Sequence, residues 1–198
     1  ALERAGAPVD RDARPGLDLA RAAALGRSLI AVATTSSLDD GGFARLVGAA
    51  ERLRASGADP SHLGALETFT QHHRTWLAND LERARLRLVW ADFFTHYDVL
   101  LCPVTVLPPI HHQQEGGFGD RTVSVDGVER PYLDLISWTT MIGSAYLPVT
   151  VPPVGRTPEG LPVGVQVVAP YLEDRSAIFV ARALAELCGG YEPPPLAA

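Results

Sequence analysis

Six histidines, two cysteines and one pair of adjacent serines are the obvious candidates for acid-base or nucleophilic work in this 198-residue chain, and lysine is not among them. All 17 residues counted as Lys or Arg are Arg. An amine general base or a Schiff-base nucleophile is therefore unavailable within this polypeptide. The histidines fall as two adjacent pairs, His72-His73 and His111-His112, with His62 and His96 single. Adjacent residues on a helix point about 100° apart, whereas ligands that share a metal stand three or four apart. No cysteine or acidic cluster completes a site beside them, so the reading is solvated or core histidines and no metal. Cys102 ends an apolar run just before Pro103, a place where α/β proteins often put functional groups. A nucleophilic thiolate also needs a histidine and a third, orienting group. The sequence assigns neither, and a buried structural cysteine is the simpler reading. Ser36-Ser37 follows Thr34-Thr35 without the glycine-rich turn that strains and exposes a nucleophilic serine. The glycines between Gly155 and Gly164 lack the order of a dinucleotide fingerprint, and no lysine serves a Walker motif.

The elements that must position these residues change character along the chain. Leu25, Leu29 and Val32 predict a helix from Leu17 to Ala33. Asp39-Asp40 stands before Phe43, Leu46, Val47 and Ala50, a second helix that Gly57 and Asp59-Pro60 close. A longer third helix carries Leu77, Leu81, Ala84, Leu88 and Ala91 as one face. Thr68-x-x-Gln71 has the form of its capping box, and Glu82 and Arg85 are spaced to pair on its solvated side. After His96, the run Tyr97 to Cys102 reads as a buried strand, and Leu107 to Gly119 as loop. Thr122 to Val128 reads as a hairpin turning on Asp126-Gly127. A short helix from Leu135 to Ile142 is expected to be capped by Asp134. Strands at Leu147–Val151 and Val163–Val168 flank a Gly/Pro turn from Gly155 to Gly160, and a last helix behind Asp174 carries Ile178, Val180, Ala181, Leu184 and Leu187. Helices followed by strands interleaved with helices give an α/β fold with nearly apolar central strands. Residues 1–96 form a mainly helical segment packing on the sheet, and 97–198 an α/β segment of the same partial domain.

The chain is 46% hydrophobic and 20% charged, as in globular proteins, and its net charge of −6 argues against a nucleic-acid or anionic-membrane partner. No stretch is apolar for the length of a bilayer, and the first residues lack the apolar core of a secretory signal. Two cysteines are too few for a disulfide framework and read as free thiols in a reducing, cytoplasmic compartment. Trp138, Met141 and Tyr146 line an apolar cavity or belong to the core, the latter being the plainer reading. Gln166, an amide in a strand of Val and Gly, must find partners if buried, and either holds a neighbouring loop or orients a pocket.

The C-terminal block resembles the closing segment of the amidase signature family. The resemblance rests on Leu147-Pro148-Val149-Thr150-Val151-Pro152-Pro153, on Gly160-Leu161-Pro162-Val163-Gly164-Val165-Gln166-Val167-Val168-Ala169-Pro170, and on Glu173-Asp174 with the helix from Ala177 to Leu187. Upstream, Tyr97-Asp98-Val99-Leu100-Leu101-Cys102-Pro103-Val104 is similar to that family's recurring strand. The long helix with Trp76-Leu77 and Glu82-Arg83-Ala84-Arg85 fits, as does the hairpin leading to Pro131-Tyr132-Leu133-Asp134.

The resemblance implies the C-terminal part of an α/β/α fold with a mixed central sheet flanked by helices. It implies hydrolysis of amides, in some members esters, by a nucleophilic serine, a second serine in a cis peptide arrangement and a lysine base. A Gly/Ser-rich loop supplies the oxyanion-hole N–H groups, and neither metal nor cofactor is needed. Those elements lie in the family's N-terminal half. This sequence has neither the lysine nor the Gly/Ser-rich loop, so no catalytic residue is carried onto it. What the resemblance does imply is substrate contact by Trp138, Thr139, Ile142 and Tyr146, with Gln166 supporting the site from a central strand. The expected partners are the catalytic half or a second copy of the chain, and a small-molecule amide for the parent enzyme. The alternative is a catalytically dead amidase-like binding or assembly module.

Overall fold

The computed structural model describes residues 1–57, 66–117 and 119–193. The histidine at 62 and the Asp-Pro signal at 59–60 lie outside the described residues.

Three long helices come first: α1 (Leu19–Thr35), α2 (Asp40–Ser56) and α3 (His73–Phe93). The first two begin where aspartates accept orphan backbone N–H groups, Asp18 from Arg21 and Asp39 from Gly42. Gly57, with φ of 66°, ends α2 in the left-handed conformation that glycine adopts without a Cβ penalty. The capping box expected at Thr68 and Gln71 does not form at α3, whose N-cap is His72 with no side-chain cap. Gln71 is engaged elsewhere. Its amide donates to the Thr68 carbonyl and to Ser28 of α1, and its Oε1 accepts from Asn79. A tertiary network that joins α1 to α3 has taken the side chain that a local cap would use.

Four strands build the main sheet: β1 (Leu100–Pro103), β4 (Val149–Thr150), β5 (Pro153–Arg156) and β6 (Pro162–Val168). β2 (Thr122–Val125) and β3 (Val128–Pro131) form a separate hairpin. Its turn residues Asp126 and Gly127 both have positive φ, 52° and 79°, as the hairpin reading requires. The expectation of a mixed sheet is corrected: every strand pairing among the described residues is antiparallel. The reason is topological. β1 lies along one side of β6 with Cys102 opposite Gln166, and β4 and β5 both pair with β6, with Val149 opposite Val168 and Pro153 opposite Gly164.

Two helix starts also differ from the sequence reading. Asp134 does not cap α4 (Ser137–Ser144); it pairs with Arg130 at 2.8 Å inside a 3-10 turn, Tyr132–Ile136, that leads into the helix. Asp174 is the first residue of α5 (Asp174–Cys188) rather than its cap, and there its charge still favours the helix N-terminus.

One core spans the helical and the α/β stretches. Ala22, Ala23 and Leu25 of α1 meet Leu86, Trp90 and Phe93 of α3, Cys102 of β1, and Met141, Ile142 and Ala145 of α4 or its end. A second, smaller cluster sets Val167 of β6 against Ala181 and Leu184 of α5. Of the apolar positions expected on α5, Ile178 and Leu187 are exposed. Where α1 crosses α4, Gly26 leaves no room for a side chain: an added Cβ would stand 2.5 Å from the backbone oxygen of Thr140. Replacing Gly26 by Ala forces the two helices apart and is expected to destabilise the chain by about 1–3 kcal/mol despite the better helix propensity of alanine. A urea midpoint equal to or above that of the wild type would contradict this contact.

Candidate active-site wall

The α1–α4 crossing leaves an open cavity of about 570 Å³ beside it. Gly26, Leu29, Ile30 and Ala33 of α1 form one side, Thr139, Thr140, Gly143 and Ser144 of α4 the other, and Tyr146 and Arg83 stand at its margin. Among the described residues, Arg83 is the only charged one in this lining. Its guanidinium pairs with Asp80, donates to the Tyr146 hydroxyl and lies 4.7 Å from the centre of the Tyr146 ring. Arg87 approaches the same ring at 5.4 Å and the Tyr171 ring at 4.5 Å. Tyr146 has φ of 61°, a left-handed conformation costly for a residue with a Cβ. The hydroxyl bond and the two stacked guanidiniums hold it there.

The four pocket candidates from the sequence are not all in one place. Thr139 and Tyr146 line the α1–α4 cavity, with the Thr139 hydroxyl donating to the Ile136 carbonyl at 2.9 Å. Trp138 is one helical step away and lines a smaller neighbouring cavity of about 250 Å³ with Arg27, Asp134 and Met141. Ile142 lines neither of these cavities. It has no exposed surface and sits in the main core, because at about 100° per residue it lies about 200° round α4 from Thr140, away from the stripe of Thr139, Thr140, Gly143 and Ser144 that lines the cavity. Arg83 is the residue that sequence reasoning passed over. Its signal was present only in part, since a helix position spaced from Asp80 gives the ion pair but not the tyrosine 63 residues away.

Gln166 is buried, and its amide donates to the Pro103 carbonyl at 2.7 Å and weakly to the Cys102 sulfur at 3.6 Å. The bond fixes the end of β1 where the chain leaves the sheet and runs as residues 104–110 along a third, largely apolar cavity of about 600 Å³. Gln166 thus holds a loop that is itself the wall of a cavity, which joins the two alternatives the sequence left open.

Burial pushes the Cys102 thiol up to about 12, against a smaller lowering by the Gln166 hydrogen bond. At neutral pH the sulfur is a protonated core atom with little nucleophilic character. His111 and His112 lie with Gln113, Arg121 and Tyr132 around a polar hollow of about 450 Å³. No group of three His, Cys, Asp or Glu side chains gathers as a metal site among the described residues. No helix among them is long and apolar enough to cross a membrane.

The model of the amidase family matches residues 49–178, which takes in α3, the whole sheet and α4. The chain belongs to the amidase family. A glutamyl-tRNA(Gln) amidotransferase subunit of Leptospira interrogans serogroup Icterohaemorrhagiae serovar copenhageni (strain Fiocruz L1-130) is 29% identical over 107 residues, 54% of this chain and 20% of that protein. Fatty-acid amide hydrolase 2-A of Danio rerio is 43% identical over 58 residues, 29% of this chain and 11% of that one. Among solved structures, a bacterial aryl acylamidase of the amidase signature family superposes over 88% of this chain and 35% of its own, with a TM-score of 0.60 at 20% identity. A crystal structure of an amidase does so over 70% and 31%, with a TM-score of 0.53 at 25% identity. The chain therefore spans about a fifth or less of these curated relatives and about a third of these solved ones.

The Cys102 environment carries a signed pH effect. The folded thiol has the higher pKa, so its contribution is complete below the ordinary value of 9.0 and is lost as pH rises from there toward about 12. The stability advantage of wild type over Cys102→Ala is expected to stay level to about pH 9 and then shrink, read from urea unfolding at stepped pH. An advantage that grew in the alkaline range would have the wrong sign for a buried neutral thiol. In the native state a disulfide-exchange reagent is expected to modify the half-buried Cys188 and leave Cys102 untouched until the chain unfolds.

Proposed function

We propose that this chain is the C-terminal portion of an amidase-type serine hydrolase, supplying the pocket wall and part of the scaffold while the nucleophile, its base and the oxyanion hole reside on another segment. The observation that carries the reading is the family match over residues 49–178 in a chain that holds no lysine and spans only a small share of its relatives. A serine hydroxyl is a poor nucleophile until a base removes its proton, and the alkoxide-like oxygen formed on attack needs aimed donors. None of those groups is assigned here. The chain alone is therefore inactive, and it acts by shaping and drying the acyl-binding side of the reaction.

In this reading Thr139 and Tyr146 contact the acyl group, Trp138 borders it, Ile142 backs the wall from the core, and Gln166 holds the strand end behind. A cavity whose lining is mostly Gly, Ala, Leu and Ile with two threonines accepts an apolar acyl group in preference to a charged one. Arg83 sits at the rim, where its charge is already met by Asp80. The natural partner is the catalytic segment, and the substrate is a small amide with an apolar acyl part. Two unpaired thiols, Cys102 and Cys188, suit a reducing compartment such as the cytoplasm.

The test begins with the reading frame upstream of Ala1, where an in-frame lysine and a Gly/Ser-rich loop are expected. The joined product is expected to hydrolyse apolar acyl amides and the 198-residue chain to show no turnover; amide hydrolysis by the chain alone would overturn the proposal. In the joined enzyme, Thr139→Trp is expected to fill the cavity and raise KM for a bulky acyl amide by about tenfold while leaving kcat for a small one nearly unchanged.

A further inference from the structure

α3 has two apolar faces, and only one of them is used inside the chain. Leu86, Trp90 and Phe93 enter the core, Asn79 bonds to Ser28 of α1, and Glu82 pairs with Arg21 of α1 at 2.9 Å. On the opposite side lie Leu77, Leu81, Ala84, Leu88 and Ala91, all exposed, with the three leucines at 49%, 54% and 71%. Their spacing is four, three, four, three. That is the 3.5-residue repeat of a helix–helix seam, which drifts only about 20° per heptad round a straight helix and so keeps one stripe toward a partner helix.

Arg74 and Asp92 stand at the two ends of this stripe. Both are exposed, their charges are opposite, and neither enters any ion pair among the described residues. Eighteen positions separate them, about 27 Å along the axis, so they cannot meet within one helix. A second helix laid antiparallel brings them together at both ends. The same arrangement sets Leu77 opposite Leu88 and Leu81 opposite Ala84, so that in the centre a large side chain faces a small one. A parallel pair would instead stack Ala84 on Ala84 and Ala91 on Ala91 and leave Arg74 beside Arg74.

We propose that two copies of this chain associate through the outer face of α3, antiparallel about a two-fold axis near residues 81–84, with Arg74 of each copy paired to Asp92 of the other. The interface is isologous and closes on itself, as a two-fold contact must. It leaves the α1–α4 cavity on a different side of the helix from the seam, since Arg83 belongs to the inner face and the seam to the outer. The proposal does not rest on the amidase chemistry assigned above.

The experiment is sedimentation equilibrium of the 198-residue chain, with far-UV circular dichroism to confirm the fold of each variant. The wild type is expected to be a dimer in the tens of micromolar. Leu81→Glu with Leu88→Glu is expected to be a folded monomer. Arg74→Asp or Asp92→Arg alone removes both end pairs and sets like charges together, weakening the dimer by about tenfold. The double variant R74D/D92R restores the opposite-charge pairs and is expected to return within about threefold of wild type. That recovery needs one copy's position 74 to meet the other's position 92. A wild type that stays monomeric at hundreds of micromolar overturns the interface, as does a dimer indifferent to the two glutamates. A double variant no tighter than the single ones overturns the antiparallel contact.

Discussion

Everything in the α/β part of this chain depends on β6 being flanked on both sides. Val165, Val167 and Val168 with their neighbours give a strand that is apolar on both faces, buried by the main core on one and by α5 on the other. Such a strand has no solvent-tolerant face, so its backbone must be paired and its faces covered at once. β1 does this on one side, and the broken strand β4–β5 pairs along the other, with a register shift between Pro153 and Gly155. One polar side chain is admitted to this environment, Gln166, and its amide is spent on the Pro103 carbonyl across the strand pair. That bond sets where β1 ends and where the wall of the adjoining cavity begins. A hydrogen bond that satisfies a buried amide therefore also defines a surface.

The cavity between α1 and α4 follows from a different constraint, the absence of a side chain at Gly26. Two helices approach there until a Cβ would touch backbone, and the gap beside such a crossing cannot be filled by either helix. Tyr146 closes one end of it in a left-handed conformation that only its neighbours make tolerable. Arg83 and Arg87, reaching from α3, supply that tolerance. Backbone strain at the cavity margin and stacking from a distant helix are thus one feature seen from two sides.

Element positions were largely legible from the sequence because they follow from periodicity and from residues that act locally. The Asp18 and Asp39 caps, the Asp126-Gly127 turn and the left-handed Gly57 act within a few residues of themselves. Where the sequence misled, a long-range partner or a nearby opposite charge had claimed the side chain. Gln71 joined Asn79 and Ser28 and left His72 to begin α3, while Asp134 joined Arg130 and left α4 without a side-chain cap. The residues of the candidate site are brought together only in part, for the same reason. Thr139 and Tyr146 share a cavity, whereas Ile142, read on the same short helix, turns into the core, and Arg83 could not be assigned without knowing that α3 passes Tyr146.

α3 shows how far amphipathic reasoning extends. Its leucine stripe has the period that would mark a buried face, yet the face that enters the core is the other one, built on Leu86, Trp90 and Phe93. A helix apolar on both sides is ordinarily buried on both. Among the described residues only one side is, and the leucine stripe is left exposed. Arg74 and Asp92, exposed at the two ends of the stripe, carry the charges on which the proposed pairing draws. Arg serves there better than lysine would, since its planar fork can pair with a carboxylate through two hydrogen bonds. With no lysine in the chain, arginine is the long cationic side chain available for such a contact.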